Sequence, residues 1–277
     1  MNQTFSFQRW ISLVAKHWAE NRKRYLLSIA AYMGLLFVWF VFIIMTDKKD
    51  PMAKGLQQVS FYFSFILIGP FYASQFFKEL SSKSKGTNFL MVPASALEKL
   101  ICSVFYVIIF FPIILTAAFY LIDALAVFIA NASHPSYNGA VDDSGNLLSA
   151  KLANVFNPGN QNDRRALFYG TLLFLAVQSA ALLGSVYFGQ YSYIKTAITL
   201  TLLFLFFALV VNYFIDSFMP RGFFRENMTQ FIVYEGEENK MIQLPHWIGK
   251  TIEFLMFYAF PPIFWISTYF RLKEKEI

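Results

Sequence analysis

The chain has 277 residues, 57% of them hydrophobic and 19% aromatic, and only 14% charged. Soluble domains carry about 25% charged residues, so this composition excludes an ordinary water-soluble enzyme and points to the membrane class. The formal charge of +6 suits a surface beside anionic headgroups. The basic residues flank apolar runs and form no single stripe, which argues against nucleic acid as a partner.

Residues 5–21 open the chain with helical amphipathicity. Trp10, Ile11, Val14 and Trp18 recur at spacings of three and four, while Arg9, Lys16 and Glu20 fall outside that face. Two Trp on the apolar face and cations off it predict a helix lying in the membrane interface. Packing of the same face on the protein's own spans is the other reading.

Six runs reach the roughly 20 apolar residues that a helical span needs: 25–45, 57–77, 100–122, 167–188, 196–216 and 251–270. The polar stretch before the first run is too long for the n-region of a cleavable signal, so that run is expected to remain as a span. Pro70, Pro112 and the pair Pro261-Pro262 predict kinks in three of the six. Cys102 stands alone and reads as a small buried apolar residue.

Six spans put both termini on one side. That side carries 13 of the 23 Lys and Arg, a small excess, so the tight cluster Arg22-Lys23-Arg24 against the first span decides the orientation. The expectation is a multi-pass protein of the cytoplasmic (inner) membrane with both termini in the cytoplasm. Residues 131–165, rich in Asn, Ser, Gly and Asp, and residues 217–250 then lie outside. Phe231–Tyr234 and Met241–Leu244 are β-prone runs separated by Glu235–Asn239, which predicts a small external hairpin with a five-residue loop. The fold class expected is a single all-α transmembrane domain, 1–277, of six helices with this hairpin and an amino-terminal interfacial helix.

Catalytic chemistry is absent from the pattern. His17, His134 and His246 are scattered, and there is no HExxH helix, Cys/His metal pair, nucleophile elbow or GxxxxGK[ST] phosphate loop. No catalytic, cofactor or metal residues are therefore expected in this chain. Asp123, Lys195, Asp216 and Glu253 fall near estimated span ends, where water can solvate them; Gln178 and Asn212 suit interhelical hydrogen bonds.

The most informative polar stretch lies between the second and third spans, at 78–99. Lys83-Ser84-Lys85-Gly86 reads as a solvated turn and Phe89-Leu90-Met91-Val92 as an apolar patch closed by Pro93. Ser95 with Glu98 three residues later is a capping box that starts the next helix. The order Glu79, Gly86-Thr87, Leu90-Met91, Pro93-Ala94-Ser95, Lys99 resembles the loop after the second span in the ABC-2 type permease family. Ala96 stands where that family often has Arg, and the spacing from Glu79 to Gly86 is long. The resemblance implies a permease that pairs with a second copy or a second permease and with a separate ATPase holding ATP and Mg. It also implies that Glu79, Gly86, Thr87, Leu90, Pro93, Ser95 and Lys99 form or position the ATPase contact. The competing reading is a non-transporting membrane scaffold or assembly partner, which would use the external segments instead.

Overall fold

The computed structural model describes residues 5–46, 52–81, 83–133, 150–156, 161–218, 223–227, 230–235, 238–243 and 258–275, with 247, 251 and 254 as single positions. Eight helices are defined among them: α1 Phe7–Thr46, α2 Lys54–Ser74, α3 Lys83–Leu90, α4 Ala96–Val104, α5 Phe111–Ser133, α6 Gln161–Tyr187, α7 Ser192–Phe218 and α8 Phe260–Lys275. A 3-10 turn, Lys78–Ser81, precedes α3, and a π turn, Phe105–Phe110, joins α4 to α5. The contacts divide the chain into two units, 1–72 with 91–174 and 73–90 with 175–277.

Among the described residues four helices are long and apolar enough to cross a bilayer: Phe7–Thr46, the continuous run Ala96–Ser133, Leu167–Tyr187 and Ser192–Val210. Their bulky side chains stand largely outside the protein, with Leu27, Val38, Phe42 and Phe128 all exposed. Apolar surface on that scale is unstable in water and natural in lipid. The architecture is therefore that of a multi-pass membrane protein. The expected spans 57–77 and 251–270 are not among the four. α2 covers most of the first but is diluted by Gln57, Gln58, Ser60 and Ser64. α8 covers 260–270 of the second, whose residues 252–253 and 255–257 lie outside the described residues.

The amino-terminal amphipathic segment is not a separate helix. It continues into the first span as one helix of 40 residues, about 60 Å along its axis at 1.5 Å per residue. The reason is local. Glu20-Asn21-Arg22-Lys23-Arg24 changes polarity but contains no Gly or Pro, and Glu, Lys and Arg are good helix formers. A change of polarity does not by itself break a helix.

In the first unit, Leu36, Phe40, Ile43 and Ile44 of α1 pack with Leu115, Phe119, Ile122, Ala126 and Ala130 of α5 and with Phe61 of α2. Aromatic rings organise this core edge to face: Phe119 stands 6.1 Å from Phe40 and 5.1 Å from Phe61, near perpendicular to both. Ala150 and Val155 complete the same cluster from the segment 150–156.

In the second unit, the turn between α6 and α7 places Tyr191 at a φ of 56°, a left-handed position for a residue with a side chain. The helices approach closely at Gly184, where any Cβ would collide with the Thr196 side chain. The end of α8 docks on the end of α6. Lys275 Nζ donates to the Val186 carbonyl at 2.7 Å, and the Arg271 guanidinium lies 4.8 Å from the Tyr187 ring centre. A cation at the carboxyl end of a helix satisfies an orphan carbonyl and complements the helix dipole.

The strands β1 Phe223–Asn227, β2 Gln230–Glu235 and β3 Glu238–Gln243 form an antiparallel sheet in sequence order. The register differs from the expected one. Pairing of β2 with β3 runs from Gln230↔Gln243 to Glu235↔Glu238, with two residues between the paired ends where a loop of five was expected, and a third strand is added. The greater part of 131–165, and several positions in 217–250, lie outside the described residues.

The α6–α7 contact makes a direct prediction. Gly184→Ala overpacks the contact and lowers stability by about 1–3 kcal/mol, read as a lower thermal midpoint in detergent or nanodiscs. Adding Thr196→Ala removes the colliding atoms and recovers most of the loss; a double variant no better than the single one would contradict this packing.

Candidate functional site

The segment 78–99 falls into two parts, residues 78–90 in the second unit and 91–99 in the first. In the first part, α3 folds back on the 3-10 turn. Gly86 is buried, and a Cβ there would meet Glu79 O and Leu80 O at 3.5 Å, an ordinary contact distance. Phe77 is buried and sets its ring perpendicular to that of Phe89 at 5.9 Å. Residues 83–86, expected as a solvated turn, are thus the first turn of a short helix. Burial of Gly86 and the Phe77–Phe89 contact supply the tertiary support that an eight-residue helix lacks alone.

The second part is a tight connection into α4. The Ala94 N–H donates to Val92 O at 2.7 Å around Pro93, and Ser95 follows in extended conformation at φ −69°, ψ 157°. The expected capping box is present. Glu98 N–H donates to Ser95 Oγ at 3.2 Å, and Ser95 N–H donates to Glu98 Oε2 at 2.8 Å. Both atoms would otherwise be orphans at the helix start.

Glu98 does more than cap. Its side chain is wholly buried, and its other oxygen, Oε1, accepts from Ser6 N–H at 2.6 Å and from Arg9 Nη2 at 2.8 Å and Nε at 3.2 Å. One carboxylate therefore fixes the start of α1 to the start of α4. Charge-assisted bonds of this kind are the strong ones, and the buried charge is tolerable because both oxygens are filled.

From that anchor the face of α1 carrying Trp10, Val14 and Trp18 lies along the π turn. Trp10 meets Phe105 edge to face at 5.8 Å, Tyr106 Oη donates to the Val14 carbonyl at 2.9 Å, and Trp18 meets Phe110 at 5.5 Å. His17 lies between them, 4.6 Å from the Tyr106 ring and 2.6 Å from the Tyr25 hydroxyl. Ile11 is exposed. Three of the four residues expected at the membrane interface thus pack, in whole or part, against the protein itself.

The seven residues expected at a partner contact separate by exposure. Glu79, Thr87 and Pro93 are exposed, Leu90 and Ser95 are half-buried, and Gly86 and Lys99 are buried. Ser95 is engaged as a cap and Gly86 as a packing position, while Met91, 75% exposed, joins the accessible set.

Two features lay beyond the sequence reading. Arg9 and Glu98 are 89 residues apart, and nothing local links them. Asp123, expected at a solvated span end, is fully buried, and neither carboxylate oxygen has a hydrogen-bond partner. The signal available was the apolar run itself, which continues past Asp123 through Ala130 and so carries the helix to Ser133. Gln178 is likewise buried with neither side-chain atom bonded. Among the described residues no group of His, Cys, Asp and Glu could hold a metal ion. No family model, no curated protein and no solved structure matches this chain.

Two predictions come from these carboxylates. Glu98→Ala lowers the thermal midpoint, since the Ser6 and Ser95 N–H groups lose their acceptor and half-buried Arg9 its ion pair, at about 1–3 kcal/mol for a buried group left unsatisfied. The swap Arg9→Glu with Glu98→Arg does not restore it, because Ser6 and Ser95 N–H groups then face a donor; recovery by the swap would reduce the anchor to a simple ion pair. Asp123→Asn goes the other way. It keeps the shape, removes the unpaired charge and raises the midpoint at pH 8, by roughly 2–4 °C for each kcal/mol gained; an unchanged or lower midpoint would show that Asp123 has a partner.

Proposed function

We propose that the chain is the membrane-spanning permease subunit of an ATP-driven exporter of the ABC-2 type, working with a separate ATPase. The observation that supports this best is the construction of 78–99. A short helix, α3, presents Thr87, and Met91 and Pro93 stand exposed immediately before a box-capped start to a 38-residue helical run. A partner that pushes on 91–94 pushes on α4 directly, because Ser95 and Glu98 join connection and helix without slack. The Glu98–Arg9 pair carries the same displacement to α1. In this reading the chain spans the inner membrane six times with both termini cytoplasmic, β1–β3 lie outside, and two permease copies share a pair of ATPases. ATP and Mg stay on the partner, whose closure rocks the helices between inward and outward arrangements.

The exposed positions define the test. Affinity purification of the wild-type chain from its native membrane brings down an ATPase carrying a phosphate-binding loop. Met91→Asp and Pro93→Gly reduce the amount recovered at least tenfold while the thermal midpoint of the chain is unchanged. Equal recovery with both variants, or no ATPase at all, removes the permease reading and leaves the scaffold.

A further inference from the structure

The segment 150–156 is held in an unusual way. Five side chains from α2 and α5 make seven hydrogen bonds to it, and every one of the seven goes to its backbone, the longest from Gln58 Nε2 to Asn154 O at 3.5 Å. Asn131 of α5 uses its amide as both donor and acceptor on one residue, giving Nδ2 to Ala150 O at 3.1 Å and taking Ala150 N–H on Oδ1 at 2.9 Å. Gln57 of α2 does the same across two residues, with Nε2 to Lys151 O at 3.0 Å and Ala153 N–H to Oε1 at 2.7 Å. Tyr62 Oη donates to Val155 O at 2.6 Å, and Tyr120 Oη accepts from Val155 N–H at 3.2 Å.

This is the hydrogen-bonding logic of a β-ladder carried out by side chains. The segment's own side chains divide between core and surface. Ala153 and Val155 are buried, and Ala150 sits in the aromatic core, while Leu152 between them is half exposed. Gln57 is itself fully buried, and its amide is held in orientation by a further bond from Nε2 to Met52 O at 2.8 Å. Gln57, Gln58 and Asn131 come from the ends of α2 and α5 farthest along the chain from 78–99, and Tyr62 and Tyr120 from farther inside the same helices. They join the two helices that flank that stretch.

We propose that residues 150–155 are a detachable latch, an extended strap that bridges α2 and α5 and releases as one cooperative unit. The seven bonds couple the strap into one unit. Losing the Gln57 clamp strands a fully buried amide, so release there costs much of what complete release costs and the strap opens as a unit. Opening removes the bridge that the strap makes between α2 and α5 and leaves direct ring contacts such as Phe61–Phe119 to hold the two helices together. The inference rests on distances within the first unit and stands whether or not an ATPase pushes on 78–99.

The chain contains one cysteine, Cys102, which is buried, so site-specific thiol labelling has a clean background. The full chain carrying Cys102→Ala is reconstituted in nanodiscs with Ala150→Cys, Ala153→Cys, Val155→Cys or, as the open reference, Leu152→Cys. Reaction with a hydrophilic maleimide is then followed. A latch gives one common slow rate at 150, 153 and 155, agreeing within about twofold, and a fast rate at 152. Gln57→Leu raises the three slow rates together, by tenfold or more. Tyr62→Phe deletes a single hydroxyl and raises them together by a few fold, so it decides the matter should Gln57→Leu fail to fold. Rates that differ among the three sites, or that respond only at the site next to the substitution, mean residue-by-residue fraying and overturn the latch. So do rates that neither substitution changes.

Discussion

A buried carboxylate is the constraint on which the first unit is built. Glu98 has no access to water, so its charge is compatible with folding only if both oxygens are filled at once. That condition needs the start of α4 in capped form and the start of α1 beside it, because Ser95 supplies the donor to one oxygen while Ser6 and Arg9 supply those to the other. Once the two helix starts are pinned, Trp10, Val14 and Trp18 fall on Phe105, Tyr106 and Phe110. The deeper contact of Phe40 with Phe119 belongs to the same pair of helices.

Polar groups inside this apolar chain fall into two sets, and the difference carries the physical meaning. Glu98, Gln57 and Asn131 are satisfied, and each ties together segments distant in sequence. Asp123 and Gln178 are buried without hydrogen-bond partners. The first set does structural work that apolar residues cannot do, since directional bonds specify one arrangement where apolar packing tolerates several. The second set is costly where it stands. Intramembrane ionisable groups are retained against that cost mostly where function requires them, which marks Asp123 as a position to test in any transport assay.

The stretch 78–99 combines both kinds of position. Thr87, Met91 and Pro93 face outward, while Gly86, Glu98 and Lys99 are committed to the interior. The π turn at Phe105–Phe110 follows the box-capped helix α4, and π turns concentrate at functional positions in helices. The latch at 150–155 sits on the far ends of the two helices that this stretch connects.

Much of this was legible in the residues alone. Composition and the length of the apolar runs determined the membrane class, because both are local sums that need no contacts. The capping box at Ser95 and Glu98 was readable for the same reason, its donors and acceptors lying three residues apart. What only the tertiary structure decided depends on residues far apart in sequence. Glu98 was read as a cap and proved to be an anchor, because Arg9 and Ser6 are about 90 residues away. The amphipathic face of α1 was read as interfacial or as packed on the protein's own spans, and the π turn contacts Trp10, Val14 and Trp18 while Ile11 stays exposed, since periodicity reports that a face is apolar but not what covers it. Segment 150–156 reads as polar loop. Its burial comes from amides and hydroxyls on other helices that bind its backbone, and backbone groups are identical in every sequence.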